Sequence, residues 1–356
     1  MVKISEGTFK VGDQELYTKT WLPDGAIVAK LIVIHGFSDH INRYYDYFPT
    51  LAGRGIAVYG FDQRGWGRSV KKPSDKGRSG PTATVLGDIV SFIKPHVNQG
   101  DGIPVFVLGH SMGGNEIAAL MAAPAGSEHE TSVVKHIRGW LFEAPFFGWP
   151  VGEAPSSLKI AAGRLAGRFL PHFQLKHKIP EVYLSRDPEV VADLSKDKLC
   201  HDTGTLEGMA ALLDRVNEIA QGHVKPGPSV KSIWLGHGDA DRCTSFPASK
   251  TWFEIAAAAV PDRTFRNYEG WVHQLHAEPL ADRELFYRET GDWILERVGE
   301  KEAPAADAPV VAAPAAAPAV AETPAASAPA TAEEAPATAA PEVAPAVDTG
   351  AAEAKL

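Results

Sequence analysis

One strand-to-helix corner constrains the fold of this chain more than any other feature. Residues 105–108 (VFVL) form a short apolar run rich in β-branched side chains, which is typical of a buried strand, and from residue 115 apolar residues recur at helical spacing. Between them stands Gly-His-Ser-Met-Gly, a G-x-S-x-G match that places Ser111 on the corner. A serine on such a corner is exposed, and the helix that follows directs free N–H groups towards a reacting carbonyl. The sequence therefore predicts a nucleophile at Ser111.

Apolar runs of strand length recur on both sides of this corner. An alternating stretch at residues 8–22 predicts a β-hairpin, and helical patterns separate most of the later runs. The other predicted strands are residues 31–34, 56–59, 105–108, 139–142, 232–235 and 264–268. Strands that are apolar on both faces and alternate with helices build a parallel sheet covered on two sides. We therefore expect an α/β fold with residues 1–145 and 228–299 as its core.

The alternation of strands and helices breaks at residues 146–227, here called the cap segment. This stretch holds helical patterns and no convincing strand, and four apolar residues fall on one face of a predicted helix: Leu158, Ala162, Leu165 and Phe169. Two interpretations are open. Either this face packs on the sheet domain, or the segment is a mobile helical cap over the active site. In the second case the outer rim of the cap would make peripheral contact with a membrane or a lipid droplet.

Composition argues against several classes of protein. The net charge of −9 and the lack of a Lys/Arg cluster in the sequence argue against a nucleic-acid partner. No run of the sequence has the length of a signal peptide core or of a membrane span. Without a secretory signal, the two cysteines are expected to be free thiols in a reducing compartment. We therefore expect an intracellular protein that is cytoplasmic or associated with a lipid droplet or membrane.

Residues 300–356, here called the tail, differ in composition from the rest of the chain. Residues 301–356 are mostly Ala, Pro, Val, Thr and Glu, hold eight acidic residues against two lysines and contain no aromatic residue. Scattered prolines prevent a continuous helix and little can be buried, so we expect a disordered tail. The tail ends Ala354-Lys355-Leu356, which resembles the Ser-Lys-Leu peroxisomal address. Coincidence in an alanine-rich segment is the alternative.

A serine nucleophile needs a base, and the base needs an acid that orients it. In proteins that carry the serine on such a strand-to-helix elbow, the order along the chain is serine, acid, histidine. Each of the three lies in a loop at the carboxyl end of a strand. Acids at such positions are Glu143, Asp239 and Asp241. We assign Asp241 because it lies furthest out in its loop, whereas an aspartate at 239 would shape the turn. Glu143, at the end of the preceding strand, is the reserve candidate.

The base is expected in the loop after the last predicted strand, which offers His273 and His276 in the sequence EGWVHQLHAE. His273 comes first in this loop and His276 is expected to begin the final helix, so His273 is assigned as the base. The two have the spacing of a metal-binding pair, but no third ligand or H-E-x-x-H helix accompanies them. We therefore expect no metal at this pair. His35, His110 and His237 come in the wrong order for the base and are expected beside the site.

Two backbone N–H groups would complete the site by stabilising the oxyanion. One belongs to Met112, directly after the nucleophile. The other belongs to Phe37, in the loop that follows His35 and Gly36. The predicted site is thus an acyl-transfer centre with a complete triad and two oxyanion donors.

Four segments, in this order, resemble the monoacylglycerol lipase group of serine hydrolases. Residues 35–44 (HGFSDHINRY) are similar to the oxyanion loop of that group, and residues 109–114 (GHSMGG) to its nucleophile elbow. Residues 238–242 (GDADR) resemble its acid loop, and residues 268–278 (YEGWVHQLHAE) resemble its base loop. Residues 61–65 (FDQRG) resemble the fungal members most. These four loop names are used below.

The resemblance implies an α/β-hydrolase fold with a helical cap and a reaction that needs no cofactor. The implied activity is hydrolysis of long-chain monoacylglycerols to fatty acid and glycerol through an acyl-Ser111 intermediate. The resemblance also favours the acid and the base assigned above over their neighbours. It further implies substrate-binding roles for Asp39, Arg43 and His276.

The chain departs from the group's pattern at two positions of the oxyanion loop. Ser38 stands where the group has glycine, and Asp39 stands where it has glutamate, which is one methylene longer. A free thiol at Cys243 is another feature that resembles the group, and we expect electrophiles that react with this thiol to inhibit the enzyme. The alternative is that Cys243 only packs as a small buried apolar residue. Alternative functions are hydrolysis of lysophospholipids or other carboxylic esters, acyl transfer, and a non-catalytic binding module on the same fold.

Overall fold

The computed structural model describes residues 1–150 and 152–299, without the side chain of Ser157. The strands are β1 Lys3–Val11, β2 Gln14–Leu22, β3 Ala29–Ile34, β4 Ile56–Phe61, β5 Val105–His110, β6 Ile137–Glu143, β7 Gln174–Lys176, β8 Thr203–Thr205, β9 Ser232–Gly238 and β10 Asp262–Tyr268. The α-helices are α1 Tyr47–Gly53, α2 Thr82–Val97, α3 Met112–Met121, α4 Glu128–Ser132, α5 Ser157–Phe169, α6 Pro188–Lys196, α7 Leu206–Ala220, α8 Phe246–Ile255 and α9 Leu280–Glu296. Single 3₁₀ turns are Ile41–Arg43, Gly67–Ser69, Pro73–Asp75, Val134–His136, Glu181–Tyr183 and Leu275–Ala277.

An eight-stranded sheet forms the centre of the fold, in the order β1-β2-β4-β3-β5-β6-β9-β10. The β1–β2 hairpin and the β2–β4 pair are antiparallel, and the other neighbouring pairs are parallel. Strands β3 and β5 lie side by side in the middle of the sheet, and all their residues are buried, as expected for apolar strands covered on both faces. The predicted hairpin and the mostly parallel sheet are confirmed.

Helices cover both faces of the sheet and enclose two apolar cores. One core packs side chains of α2, α3 and α8 against the sheet. The other packs side chains of α1 and α9 against the opposite face. Because side chains alternate along a strand, Ile32 and Ile34 of β3 belong to the first core, and Leu31 and Val33 belong to the second. The prediction of helices on both faces is confirmed.

The parallel direction of the strands gathers the site at one edge of the sheet. Strands β3, β5, β9 and β10 all end at this edge, and the loops that follow them are the oxyanion loop, the elbow, the acid loop and the base loop. Ligand sites in sheets of this kind lie outside the carboxyl ends of the strands. Segments far apart in sequence therefore meet here.

The cap segment lies between β6 and β9, and it contains more than helices. Alongside α5, α6 and α7 it holds β7 and β8, which pair antiparallel in a small sheet of their own. The prediction that the segment has no strand is therefore wrong. Each strand is only three residues long and lacks an apolar alternation, so its pairing depends on a tertiary contact that no local pattern records. The predicted boundaries of the cap segment stay predictions.

The apolar face of α5 does not pack on the sheet domain. Its side chains at Leu158, Leu165 and Phe169 are 80%, 58% and 78% exposed. The interpretation in which this face is buried against the sheet is therefore wrong, and the helix presents an unpartnered apolar surface. Among the described residues, no helix is long and apolar enough to cross a membrane. The tail and its last three residues lie outside the described residues, so the predicted disorder and the peroxisomal address stay predictions.

Candidate active site

Ser111 occupies a strained corner between β5 and α3. Its backbone has φ 53° and ψ −116°, in the left-handed half of conformational space that side chains rarely adopt. The turn is tight because two glycines allow close backbone contact: a Cβ on Gly109 would lie 2.5 Å from the Gly113 oxygen, and one on Gly113 would lie 2.2 Å from the Ile34 oxygen. The Ser111 N–H donates to the Glu143 carbonyl at 3.0 Å, which ties the corner to the next strand. Local geometry therefore matches the predicted nucleophile elbow.

The acid loop and the base loop bring Asp241 and His273 into contact. Asp241 Oδ2 accepts a hydrogen bond from His273 Nδ1 at 2.8 Å, and both side chains are buried. Burial alone would raise the pKa of Asp241. The charge of His273 and hydrogen bonds from His237 and His273 outweigh burial, so the pKa of this carboxyl lies well below its ordinary value. Asp241 is therefore ionised and holds His273 with its Nδ1 towards the acid, as the assignment requires.

Asp241 receives more support than the sequence indicated. Its Oδ2 also accepts from Thr244 Oγ1 at 2.8 Å and lies 3.0 Å from His237 Nε2. Its Oδ1 accepts from the backbone N–H groups of Cys243 at 2.6 Å and of Thr244 at 3.0 Å. His237 was expected only as a neighbour of the site, and Thr244 was not considered. The available signal was the position of His237 at the end of a buried strand, four residues before the acid.

Ser111 and His273 open onto one cavity of about 220 Å³. Phe37, His110 and Gln274 line it close to the elbow and the base loop. Beyond these, it is lined by the polar residues Ser38, Asp39, Lys178, Glu181, Asp197 and Asp202 and by the apolar side chains of Ile179, Leu184 and Leu194. The structure therefore brings the predicted nucleophile, base and one oxyanion residue to a common space.

Two free backbone donors border the elbow. Among the described residues, neither the Phe37 nor the Met112 N–H has a hydrogen-bond acceptor in a turn, loop or cap. The oxyanion loop approaches closely because position 36 is glycine, where a Cβ would lie 3.1 Å from Ser111 Cβ. A free N–H next to the nucleophile on each side is the arrangement that stabilises an oxyanion.

An apolar cluster flanks the elbow next to this polar cavity. Met112 packs there with Trp66, Phe146, Leu212 and Val216, and Phe37 and Trp149 pack against the group. Leu212 and Val216 belong to α7 of the cap segment. The nucleophile thus lines a largely polar cavity and directly precedes a residue of an apolar cluster.

The sequence matches known hydrolases along most of the described chain. The model of the family described as serine aminopeptidase, S33, matches residues 25–280. A putative monoglyceride lipase of Schizosaccharomyces pombe is 30% identical over 288 residues, which are 79% of this chain and 71% of that protein. The monoglyceride lipase of Rattus norvegicus is 30% identical over 294 residues, 80% of this chain and 88% of that protein. The chain belongs to the monoglyceride lipase family of serine hydrolases.

Solved structures agree on the fold of this family member. A soluble variant of monoglyceride lipase from Saccharomyces cerevisiae superposes with a TM-score of 0.72 at 18% identity, covering 82% of this chain and 94% of that one. The monoacylglycerol lipase of Paleococcus ferrophilus gives a TM-score of 0.65 at 24% identity, covering 80% and 99%. The predicted α/β-hydrolase fold is confirmed.

Two of the substrate-binding residues implied by the resemblance lie in the oxyanion loop of this family member. Asp39 lines the cavity; its Oδ1 accepts from the His40 N–H at 2.8 Å, and its Oδ2 lies 3.4 Å from the Tyr44 hydroxyl. Arg43 is buried beside it, with Nε 3.8 Å from Asp39 and Nη1 3.6 Å from Asp197. Arg43 does not itself line the cavity but contacts two carboxylates that do, and its substrate-binding role stays a prediction.

His276 does not reach the cavity at all. Its side chain is 0% exposed, and its Nδ1 lies 2.7 Å from Glu143 Oε1. The substrate-binding role implied for His276 is therefore wrong in this structure. Sequence spacing could not reveal this, because a 3₁₀ turn at Leu275–Ala277 directs the chain back towards the end of β6. Glu143, the reserve candidate for the acid, therefore contacts His276 and not the assigned base, His273.

Asp239 makes no side-chain hydrogen bond within its own turn among the described residues, so the expectation that it shapes this turn is wrong. Its Oδ1 accepts from the Gly270 N–H at 2.7 Å, and its Oδ2 lies 3.4 Å from Asn267 Nδ2. This residue therefore joins the acid loop to the base loop and takes no part in the triad.

The departure at Ser38 has a structural consequence. Ser38 has φ 52°, a conformation that glycine adopts without strain, so the residue type of the group fits this backbone better. Its Oγ accepts from the Asp202 N–H at 2.8 Å and donates to Asp202 Oδ1 at 3.1 Å. Ser38 thereby ties the oxyanion loop to the cap segment.

Cys243 lies beside the acid and is partly exposed. Burial raises the pKa of its thiol well above the ordinary value, and the Sγ atom lies 3.7 Å from the Tyr183 carbonyl oxygen. Since the thiolate is the reactive form, the raised pKa argues against a reactive thiol, and inhibition by electrophiles stays a prediction.

Proposed function

We propose that the protein hydrolyses lipid carboxylic esters, most specifically monoacylglycerols, through an acyl-Ser111 intermediate. The observation that carries the proposal is that Ser111 lines a cavity rich in polar groups and directly precedes Met112 of an apolar cluster. The cavity offers carboxylates and hydroxyls that suit a glycerol head group, and the cluster offers apolar side chains that suit an acyl chain. The names of the relatives support the same substrate class.

The chemistry follows from the contacts. Ser111 Oγ attacks the ester carbonyl carbon while His273 takes the hydroxyl proton, and Asp241 stabilises the imidazolium that forms. The N–H groups of Phe37 and Met112 bind the oxyanion, each worth about 3 kcal/mol in comparable sites. When the ester C–O bond breaks, the proton passes from His273 to the leaving alkoxide. Water then repeats the sequence on the acyl-serine and releases the fatty acid.

The charge of the cavity favours neutral head groups over phosphorylated ones. Asp39, Glu181, Asp197 and Asp202 line it, against a single lysine among its lining residues, Lys178. A phosphodiester would meet like charges there, whereas glycerol hydroxyls would donate hydrogen bonds to carboxylates. Lysophospholipids are therefore the less favoured substrates.

Labelling with a fluorophosphonate tests the nucleophile, and a substrate panel tests the substrate class. We expect the wild type and a Ser91→Ala control to be labelled and Ser111→Ala to remain unlabelled. We expect turnover of monoacylglycerols at least about tenfold faster than that of lysophosphatidylcholine or an aminoacyl anilide. Labelling of Ser111→Ala would refute the mechanism. Preferred cleavage of the lysolipid or the anilide would overturn the substrate class.

We also propose that α5 contacts a lipid surface. Its exposed side chains at Leu158, Leu165 and Phe169 form an apolar patch, and Arg164 and Arg168 lie on the same helix. Co-sedimentation with vesicles of neutral and anionic phospholipid tests this. Leu165→Ser combined with Phe169→Ser should reduce binding severalfold, while Ile255→Ser, an exposed apolar residue on α8, should not. Equal binding of the three proteins would contradict the contact.

A further inference from the structure

A buried cluster behind the base loop holds polar atoms without partners. His110, Glu143 and His276 are each at most 1% exposed. Glu143 Oε1 accepts from both the backbone N–H and the Nδ1 of His276, at 3.0 and 2.7 Å. Within the described residues, His110 Nδ1, Glu143 Oε2 and His276 Nε2 are buried with no hydrogen-bond partner. Buried polar groups are costly when unpaired, so apolar side chains would serve better if packing were their only purpose.

The cluster touches three of the four loops of the site. Glu143 also holds the elbow, because its carbonyl accepts the Ser111 N–H at 3.0 Å. The ring of His110 lies 4.8 Å from the ring of His273, measured between centroids. The ring of His276 stacks on Tyr44 of the oxyanion loop at 4.2 Å. A change at Glu143 therefore reaches the nucleophile, the base and the oxyanion loop.

The carboxyl group of Glu143 is ionised. Burial by itself raises its pKa, but the charge of His276 and the hydrogen bonds from His276 outweigh burial, so the pKa lies below its ordinary value. The phenols of Tyr44, Tyr47 and Tyr287 face the cluster from other elements, and burial together with neighbouring charge, including that of Glu143, raises their pKa values.

We propose that Glu143 is a positioning residue for the hydrolase reaction, which fixes the base loop through His276 and adds a second negative charge close to the imidazolium of His273. No bond forms or breaks at Glu143: the proton moves only between Ser111, His273 and the leaving group. The inference rests on the function proposed above. Asp241 orients the base directly, while Glu143 acts on it from behind, across the ring of His110.

The substitution Glu143→Gln tests the charge alone, because it keeps the volume and an oxygen that accepts from His276. We expect kcat per labelled active site to fall about tenfold at pH 8, with KM changed less than twofold. The acid limb of the kcat/KM profile should move to lower pH by roughly half a unit, because the protonated base loses a stabilising charge. A purely structural role would not move this limb.

Matched variants separate charge from packing. Glu116→Gln replaces another buried carboxyl group, which pairs with Arg215 instead of an imidazole and whose pKa burial raises to about 7, and it should leave kcat at pH 8, where this group is ionised, unchanged. His276→Asn keeps a donor where Nδ1 stands and should stay within about twofold of wild type. If Glu143→Gln does not fold, a comparison of two His276 variants tests the proposal instead. His276→Phe loses the donor to Glu143 and should react more slowly than His276→Asn, which keeps a donor.

The outcomes distinguish the two proposals. A wild-type protein that resists fluorophosphonate and cleaves no ester would refute the function itself. A labelled and active wild type with a Glu143→Gln variant of equal rate and profile would overturn only the role of Glu143. Equal rates for His276→Phe and His276→Asn would overturn it as well.

Discussion

Two histidine–carboxylate pairs share the base loop and differ mainly in what each ring can reach. His273 Nδ1 lies 2.8 Å from Asp241, and His276 Nδ1 lies 2.7 Å from Glu143. Both carboxyl groups are buried and ionised. His273 lines the cavity that Ser111 also lines, whereas His276 is fully enclosed. Access to the cavity, and not the chemistry of the pair, separates a base from an anchor of the loop.

We call Asp241–His273 the front pair and Glu143–His276 the back pair. Loss of Asp241, the acid of the front pair, should have the largest effect on the reaction rate. In Asp241→Asn the side chain keeps its shape, but it can no longer fix the productive tautomer of His273 or stabilise the imidazolium. We expect kcat to fall by about 10³ to 10⁴, measured on a monoacylglycerol after active-site titration. Asp239→Asn, in the same loop, should cost less than about threefold, since that residue only joins two loops. A loss of similar size in both variants would erase the distinction between the two aspartates.

The difference between the pairs also predicts which acid matters more for activity when it is substituted, Asp241 or Glu143. The front pair lies on the reaction path, so its loss should exceed by at least about a hundredfold the loss in Glu143→Gln. If Glu143→Gln proved the more damaging of the two in a folded protein, the assignment of front and back pairs would have to be exchanged.

The smallest expected effect is a pH dependence of the free energy of unfolding. It comes from His110, whose ring lies close to the rings of both His273 and His276. Burial lowers the pKa of His110 to about 3; the charge of Glu143 opposes this shift, and His273 and His276 add smaller lowering effects. The unfolded chain binds a proton at this residue below about pH 6.5, and the folded protein does not. The free energy of unfolding should therefore decrease as the pH falls below this value, by about 1 kcal/mol from His110 between pH 7.5 and 5.5.

Urea denaturation at the two pH values checks this expectation. His110→Phe should reduce the difference in unfolding free energy by about 1 kcal/mol, while His223→Phe, which removes an exposed histidine, should leave it unchanged. An identical difference in wild type and His110→Phe would show that His110 takes up its proton in the folded protein.

The sequence alone predicted the elements that depend on local pattern. The apolar runs around β3, β5 and β9 could only be buried strands, and the glycines at 109 and 113 allowed only a tight corner at Ser111. The order of serine, acid and histidine then indicated Asp241 and His273, and the structure brings them into contact. These inferences were possible from sequence because each depends on residue type at short range or on strand order.

Other features depended on contacts that the sequence does not record. Strands β7 and β8 exist only because two short segments meet, and the apolar face of α5 looks the same in sequence whether it is buried or exposed. The link between Ser38 and Asp202 joins residues in different segments of the chain. Local patterns carry no information on which surface a helix will find or which loop a serine will touch.

The sequence by itself determined the corner at Ser111, the parallel sheet behind it and the order of the catalytic groups, because steric limits and hydrophobic periodicity act along the chain. Only the tertiary structure decided what the second histidine of the base loop does, because it encloses His276 against Glu143 instead of exposing it to the cavity. The two histidines have the same chemistry and lie three positions apart, so their roles depend on where the folded backbone turns. His273 was thereby placed at the cavity, and His276 was enclosed with Glu143.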